Sequence, residues 1–250
     1  MKFLCLHGAF SSADSFSVLL APLEQELGVH KVSLRYLDGP YEIKKGPDGY
    51  DAFRTWFGPP PHYRWIYTVD EEYQNLVSRL RCYQPGETAE DVIRYLRGDN
   101  YQRLSSEKLK QHTGKVFDFL CRILDEDPEL EGILGYSEGA HAAATFILNE
   151  MQKAKRRIKC AIFFHGSPPF GPDGELVLAD ETELRIDIPT LHIVGANDPY
   201  KPGAVALYNV CDSRNSEFFD VAIGHTIPRS TLVVNELVEV IQDLVERTQG

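Results

Sequence analysis

Ile133-Leu134-Gly135-Tyr136-Ser137-Glu138-Gly139-Ala140 is the stretch on which the architecture turns. Ile133 and Leu134 open it as an apolar strand that stops at Gly135. A helix rich in Ala140, Ala142, Ala143 and Ala144 starts just after. The five central residues read G-x-S-x-G, a weak pattern alone that gains weight from the strand before it and the helix after it. Strand, sharp turn and helix together hold a serine on a strained elbow, with its hydroxyl exposed above the edge of a sheet. Glycine is needed on both sides because a Cβ would collide inside so tight a turn. A helix beginning at Ser137 also directs free backbone N–H groups and the positive end of its dipole at the hydroxyl. Ser137 is therefore the candidate nucleophile.

Working outward, short apolar runs alternate with amphipathic ones. Strands are predicted at 3–6, 31–37, 132–136, 160–164, 190–194 and 216–223, and helices over 15–27, 107–124, 138–155, 203–210 and 230–246. This alternation predicts an α/β fold, a mostly parallel, doubly wound sheet with helices on both faces. Near-continuous apolar strands suit a sheet covered on both sides. Residues 41–105 break the rhythm. They carry both tryptophans, Trp56 and Trp65, with Phe57 among many other aromatics and the run Gly58-Pro59-Pro60-Pro61. An aromatic-rich cap inserted into a single domain spanning 1–250 is the expectation, because long irregular segments in compact domains are usually functional.

A serine hydroxyl needs a base. Of the eight histidines, His225 alone follows a last strand directly, in Gly224-His225-Thr226-Ile227-Pro228, where a doubly wound sheet presents residues at its carboxyl edge. His141 reads as packing beside the elbow, His192 as a core histidine, and His7 and His165, each before a glycine, as loop-shaping. The base needs an acid to fix its tautomer. Asp198 fits, directly after the apolar strand that ends at Val194. Asp173, Asp180 and Asp187 read as solvated. The order Ser, Asp, His is that of an α/β-hydrolase fold. An oxyanion needs donors, and the backbone N–H groups of Glu138 and Ala9 are the candidates, with Phe10 second to Ala9. Phe10, Trp56, Phe57 and Trp65 are the candidate substrate-binding residues.

Composition narrows the classes further. The chain has 250 residues, 43% hydrophobic and 25% charged, with a net charge of −11. Those values exclude a disordered chain, a collagen-like repeat and a disulfide mini-scaffold. A negative surface disfavours nucleic acid, and no window of 18 apolar residues predicts a membrane span. The apolar start reads as a strand and not as a signal peptide. An odd set of five cysteines (Cys5, Cys82, Cys121, Cys160, Cys211) without C-x-x-C spacing reads as free thiols in a reducing, cytoplasmic setting. No metal-ligand spacing and no Gly-rich phosphate loop is present, so neither metal nor cofactor is implied. The basic run Lys153, Lys155, Arg156, Arg157 and Lys159 reads as a complement to the negative end of the elbow helix.

Taken in order, these motifs resemble the FSH family of serine hydrolases. Carrying the resemblance are Leu4-Cys5-Leu6-His7-Gly8, Asp38-Gly39-Pro40, Gly135-Tyr136-Ser137-Glu138-Gly139-Ala140, Pro189-Thr190-Leu191-His192 leading to Asp198, and Gly224-His225 with Pro228. It covers essentially the whole chain. The resemblance implies a compact α/β-hydrolase whose triad maps onto Ser137, Asp198 and His225. Many members have Gln after the serine where this chain has Glu138, a carboxylate expected near the oxyanion and able to shape specificity. One branch is similar to fungal polyketide-pathway thioesterases and hydrolases, such as the lovastatin- and citrinin-pathway enzymes. That branch implies small-molecule acyl esters or thioesters as substrates, including chains held on an acyl carrier domain of a polyketide synthase, with a general carboxylesterase as the alternative. Lys44, Lys45, Arg54 and Arg64 in the insert read first as solvated charge and second as a face for such a carrier.

Overall fold

The computed structural model describes residues 1–43, 59–66, 86–97, 106–151 and 156–249. Its main sheet holds β1 (Lys2–Leu6), β2 (Ser33–Leu37), β5 (Leu130–Tyr136), β6 (Cys160–Phe164), β7 (Thr190–Gly195) and β8 (Ser216–Val221). Their order across the sheet is β2-β1-β5-β6-β7-β8, and every neighbouring pair is parallel. The chain winds outward in both directions from the β1–β5 junction. In an open α/β sheet, the carboxyl ends of the strands at that junction border a crevice.

Side chains alternate across the sheet and each face meets its own helices. Leu4, Leu6, Ile133, Ala161 and Phe163 join one core with α3 (Ser106–Glu126), α4 (Glu138–Glu150) and α5 (Lys201–Val210). Phe3, Cys5, Leu134, Ile162 and Phe164 join the other, against α1 (Ala13–Val29) and α6 (Thr231–Gln249). The expected doubly wound α/β architecture is present. Helix α4 ends at Glu150, short of the expected 155, and residues 152–155 lie outside the described set. Strand β8 stops at Val221 because the Ile223 N–H turns back to the Val221 carbonyl at 2.8 Å.

Within 41–105, two pieces of regular structure are described. A two-residue antiparallel pair joins β3 (Tyr41–Glu42) to β4 (Tyr63–Arg64). Helix α2 (Ala89–Arg97) packs its Val92 and Ile93 against Phe170, Leu178 and Ala206. Thr88 caps α2 reciprocally: the Asp91 N–H donates to Thr88 Oγ1 at 3.1 Å, and the Thr88 N–H to Asp91 Oδ2 at 3.2 Å. This capping box is legible in Thr88-Ala89-Glu90-Asp91 and was not among the predicted helices. The free cysteines among the described residues are Cys5, Cys121, Cys160 and Cys211. Burial pushes the thiols of Cys160 and Cys211 up to about 12, which makes them inert. Cys82 lies outside the described residues. Among the described residues, no helix is long and apolar enough to cross a membrane.

Candidate active site

Ser137 sits between β5 and α4 with φ 55° and ψ −116°, in the left-handed region that side-chain-bearing residues seldom adopt. The turn is held from several sides. The Ser137 N–H donates to the Phe164 carbonyl at 2.8 Å, continuing the sheet past the end of β5. A Cβ on Gly139 would stand 2.5 Å from the His7 carbonyl oxygen, and one on Gly135 2.6 Å from that of Gly139. Both approaches are closer than any Cβ tolerates, so both glycines are required. The hydroxyl thereby emerges at the carboxyl edge, 2.9 Å from His225 Nε2.

His225 stands in the loop after β8 and Asp198 in the loop after β7. His225 Nδ1 donates to Asp198 Oδ2 at 2.8 Å, and the Tyr200 N–H donates to Asp198 Oδ1, also at 2.8 Å. Three residues far apart in sequence thus converge at one edge. The Tyr136 hydroxyl donates to the His225 carbonyl at 3.0 Å, and the Tyr200 ring lies edge-on to the imidazole with centroids 4.8 Å apart, so His225 is held from two sides. The Asp198 side chain is fully buried, whereas His225 is 22% exposed. Burial alone pushes a carboxyl upward. Here the N–H donors of His165 and His225, the proximity of His225 and the Tyr200 amide outweigh burial and hold Asp198 well below the usual carboxylate range.

A second imidazole shares this carboxylate: His165 Nδ1 is 2.6 Å from Asp198 Oδ2. The three groups place their donor atoms within 4.8 Å of one another. Nitrogen–oxygen separations of 2.6 and 2.8 Å are hydrogen bonds. They are shorter than the roughly 3 Å edge of a coordination shell with bonds near 2.1 Å, so in this arrangement the groups bind each other and no ion.

The loop after β1 closes the other side. A Cβ placed on Gly8 would be 3.5 Å from Ser137 Cβ, which puts the backbone of Gly8 and Ala9 beside the hydroxyl. His7 shapes this loop as expected: its Nδ1–H donates to the Gly8 carbonyl at 2.7 Å and its Nε2 accepts the Gly39 N–H at 3.0 Å. Burial, the largest influence, lowers its proton affinity and favours this neutral form.

The chain belongs to the FSH1 serine hydrolase family. The family model, described as serine hydrolase (FSH1), matches residues 1–237. Among curated relatives, Esterase FUS5 of Gibberella moniliformis is 27% identical over 96% of this chain and 85% of its own length. Hydrolase phiM of Talaromyces stipitatus is 24% identical over 95% of this chain and 85% of its own. A carboxylesterase from Mesorhizobium loti superposes with a TM-score of 0.56 at 15% identity, covering 96% of this chain and 88% of that one, and shares the α/β-hydrolase fold. The resemblance read from the motifs is borne out, and this FSH1 family chain is an ester-cleaving serine hydrolase.

Glu138 departs from expectation. Its carboxylate does not stand as a loose charge at the oxyanion position. It accepts from Arg64 Nη2 at 2.6 Å and Nε at 3.0 Å, from the Trp65 N–H at 2.6 Å and from the Ile66 N–H at 3.2 Å. The elbow residue of this family member therefore anchors β4, and Arg64 is neither solvated nor free to meet a carrier. Arg64 also lies over the Phe10 ring, 4.9 Å from its centroid. Trp65 is fully buried and donates its indole N–H to the His7 carbonyl at 2.9 Å, a structural tie at the border of a cleft. Trp56, Phe57, Lys44, Lys45 and Arg54 lie outside the described residues.

That cleft, about 350 Å³, runs along α4 from Trp65 and Ile66 past Ala142, Thr145 and Phe146, facing Phe117 and Phe170. It begins about a turn beyond Ser137, which does not line it. His141 is buried beside it, with Nδ1 3.0 Å from Ser167 Oγ and its ring edge-on to Phe170. Burial, with Glu138 opposing, lowers it to about 4. His192, as expected, is a core residue, bonded to Thr190 Oγ1 at 3.0 Å. In the basic run, Arg157 pairs with Glu150 and Asp125 and donates to the Cys121 carbonyl, while Lys153 and Lys155 lie outside the described residues. Sequence reasoning missed His165 and the Glu138–Arg64 link. For His165 a signal existed, since His165-Gly166 ends a core strand beside the elbow just as His225 follows β8.

Proposed function

We propose that Ser137, His225 and Asp198 carry the esterase chemistry of this chain. Supporting this is the continuous hydrogen-bonded line from Ser137 Oγ through the two nitrogens of His225 to a buried carboxylate. Ser137 attacks the acyl carbonyl while His225 Nε2 takes its proton. Asp198 holds Nδ1–H and stabilises the imidazolium that forms. The N–H groups of Glu138 and Ala9 receive the oxyanion; the free N–H groups at the start of α4 and the loop pressed against Ser137 support this role. His225 then protonates the leaving thiol or alcohol. Water enters, His225 takes its proton as the oxygen attacks the acyl carbon, and His225 returns that proton to Ser137 Oγ as the acid leaves. No cofactor takes part.

For substrate, the reading is a thioesterase that releases or edits carrier-bound polyketide or fatty acyl chains in secondary metabolism. The aromatic insert acts as a cap, with β4 anchored at the elbow. The cleft along α4, within the usual size range of ligand pockets and walled by Phe117, Phe146 and Phe170, suits a long apolar chain. The fungal relatives named as an esterase and a hydrolase fit a thioesterase or a carboxylesterase equally. Parallel kinetics on acyl thioesters and matched oxygen esters across chain lengths tests the reading. A kcat/KM that climbs with chain length on thioesters is expected, and a strong preference for short oxygen esters defeats it in favour of a small-ester carboxylesterase.

A further inference from the structure

His165 directly follows β6 at the same sheet edge as the proposed triad, with its side chain fully buried. Its φ of 51° lies in the left-handed region, a strained backbone for a residue bearing a side chain. That backbone aims the ring between two groups: Nδ1 lies 2.6 Å from Asp198 Oδ2, and Nε2 2.8 Å from the carbonyl oxygen of Thr226. Both of these neighbours accept hydrogen bonds. A neutral imidazole has one N–H and one lone pair, so it would press that lone pair against one of them. A hydrogen on each nitrogen satisfies both.

Thr226 directly follows His225, so the ring ties the acid to the loop that bears the base. Titratable groups of the described residues face it from three elements. Asp198 faces it from the loop after β7, the His225 ring is 5.1 Å away between centroids, and the Tyr136 ring stands edge-on at 6.0 Å.

We infer that His165 is a positioning residue for the proposed triad: with a hydrogen on each ring nitrogen it clamps Asp198 to the His225 loop and so fixes the carboxylate against His225 Nδ1. The inference rests on the assignment of Ser137, His225 and Asp198 as nucleophile, base and acid. An acid fixed from two sides holds the base in one orientation and one tautomer.

The test is the pH dependence of Ser137 labelling by a fluorophosphonate in wild-type protein, His165→Gln and His165→Phe, with Ser137→Ala as the blank and thermal unfolding as the check on folding. Nitrogen-15 NMR of the wild-type histidine rings accompanies it. In both His165 variants the plateau rate of labelling is expected to fall about tenfold to a hundredfold, as for other groups that orient a reacting side chain, and Gln retains more of it because one N–H donor remains. In wild type, both His165 nitrogens carry hydrogen. A plateau unmoved in both folded variants, equal losses for Gln and Phe, or a bare nitrogen on His165 overturns the inference while leaving the triad standing. A wild-type protein not labelled at Ser137 overturns the triad and the positioning role with it.

Discussion

The elbow and the β4 segment lie against each other, yet they are built by different physics. The elbow follows from neighbours in sequence: an apolar strand, two glycines that admit no Cβ, and a helix start that forces φ of 55° on Ser137. The β4 segment owes its place to charge. Arg64, Trp65 and Ile66 all donate to the Glu138 carboxylate, roughly 70 residues away in the chain, and the Arg64 and Glu138 side chains are each 10% exposed. Backbone sterics leave the elbow one available shape. The β4 segment is held by a few polar ties that a single substitution can remove.

The largest expected effect falls on the elbow edge. Asp198→Asn keeps the fold and drops kcat by roughly 10⁴-fold, because the amide favours the wrong His225 tautomer. Equal thermal midpoints beside that loss would place the effect in chemistry; a loss under about tenfold would dissolve the contrast drawn here.

Acid should strike the core beneath the elbow. His141 and His192 are buried and lowered, to about 4 and about 3, with burial the main cause in each. The unfolded chain therefore takes up protons first, and stability falls as pH drops from about 6.5 toward those values. Each group costs on the order of 3 kcal/mol by pH 4. Denaturant unfolding in steps from pH 7 to pH 4 measures this, and His192→Phe should flatten its share. Asp198, held low, stays charged in the folded chain, so it adds to the slope only as pH nears its ordinary value at the bottom of this window.

Glu138→Gln sharpens the comparison directly. It removes the carboxylate that pairs with the buried Arg64 and accepts the Trp65 and Ile66 N–H groups, and should cost about 3 kcal/mol. A double-mutant cycle with Arg64→Met isolates the pair, and faster proteolysis of residues 59–66 without loss of the main sheet is the expected signature. The smallest effect is Arg94→Ala on α2. Its partners Asp91, Asp180 and Glu181 are half-exposed, so the unfolding midpoint should move by no more than about 2 °C.

The same division governs what could be read in advance. Ser137, Asp198 and His225 were legible because each directly follows an apolar strand, and a parallel sheet delivers every such residue to one edge. Capping made α2 legible as well, in Thr88 and Asp91, though the aromatic crowding around it masked the pattern. Arg64 reads as surface charge because nothing local to Tyr63-Arg64-Trp65 announces a carboxylate on the elbow. His165 reads as loop-shaping for a similar reason: its two acceptors lie in the loops after β7 and β8, 33 and 61 residues further on.

Periodicity and turn chemistry are properties of adjacent residues, and they suffice to set the order of strands and helices and the strained serine between them. Which charges end up paired, which imidazole faces two acceptors, and that the glutamate beside the serine grips a distant arginine are matters of approach between remote segments. Only folding settles those, because a buried polar group takes whatever partner the packed chain brings within hydrogen-bond reach.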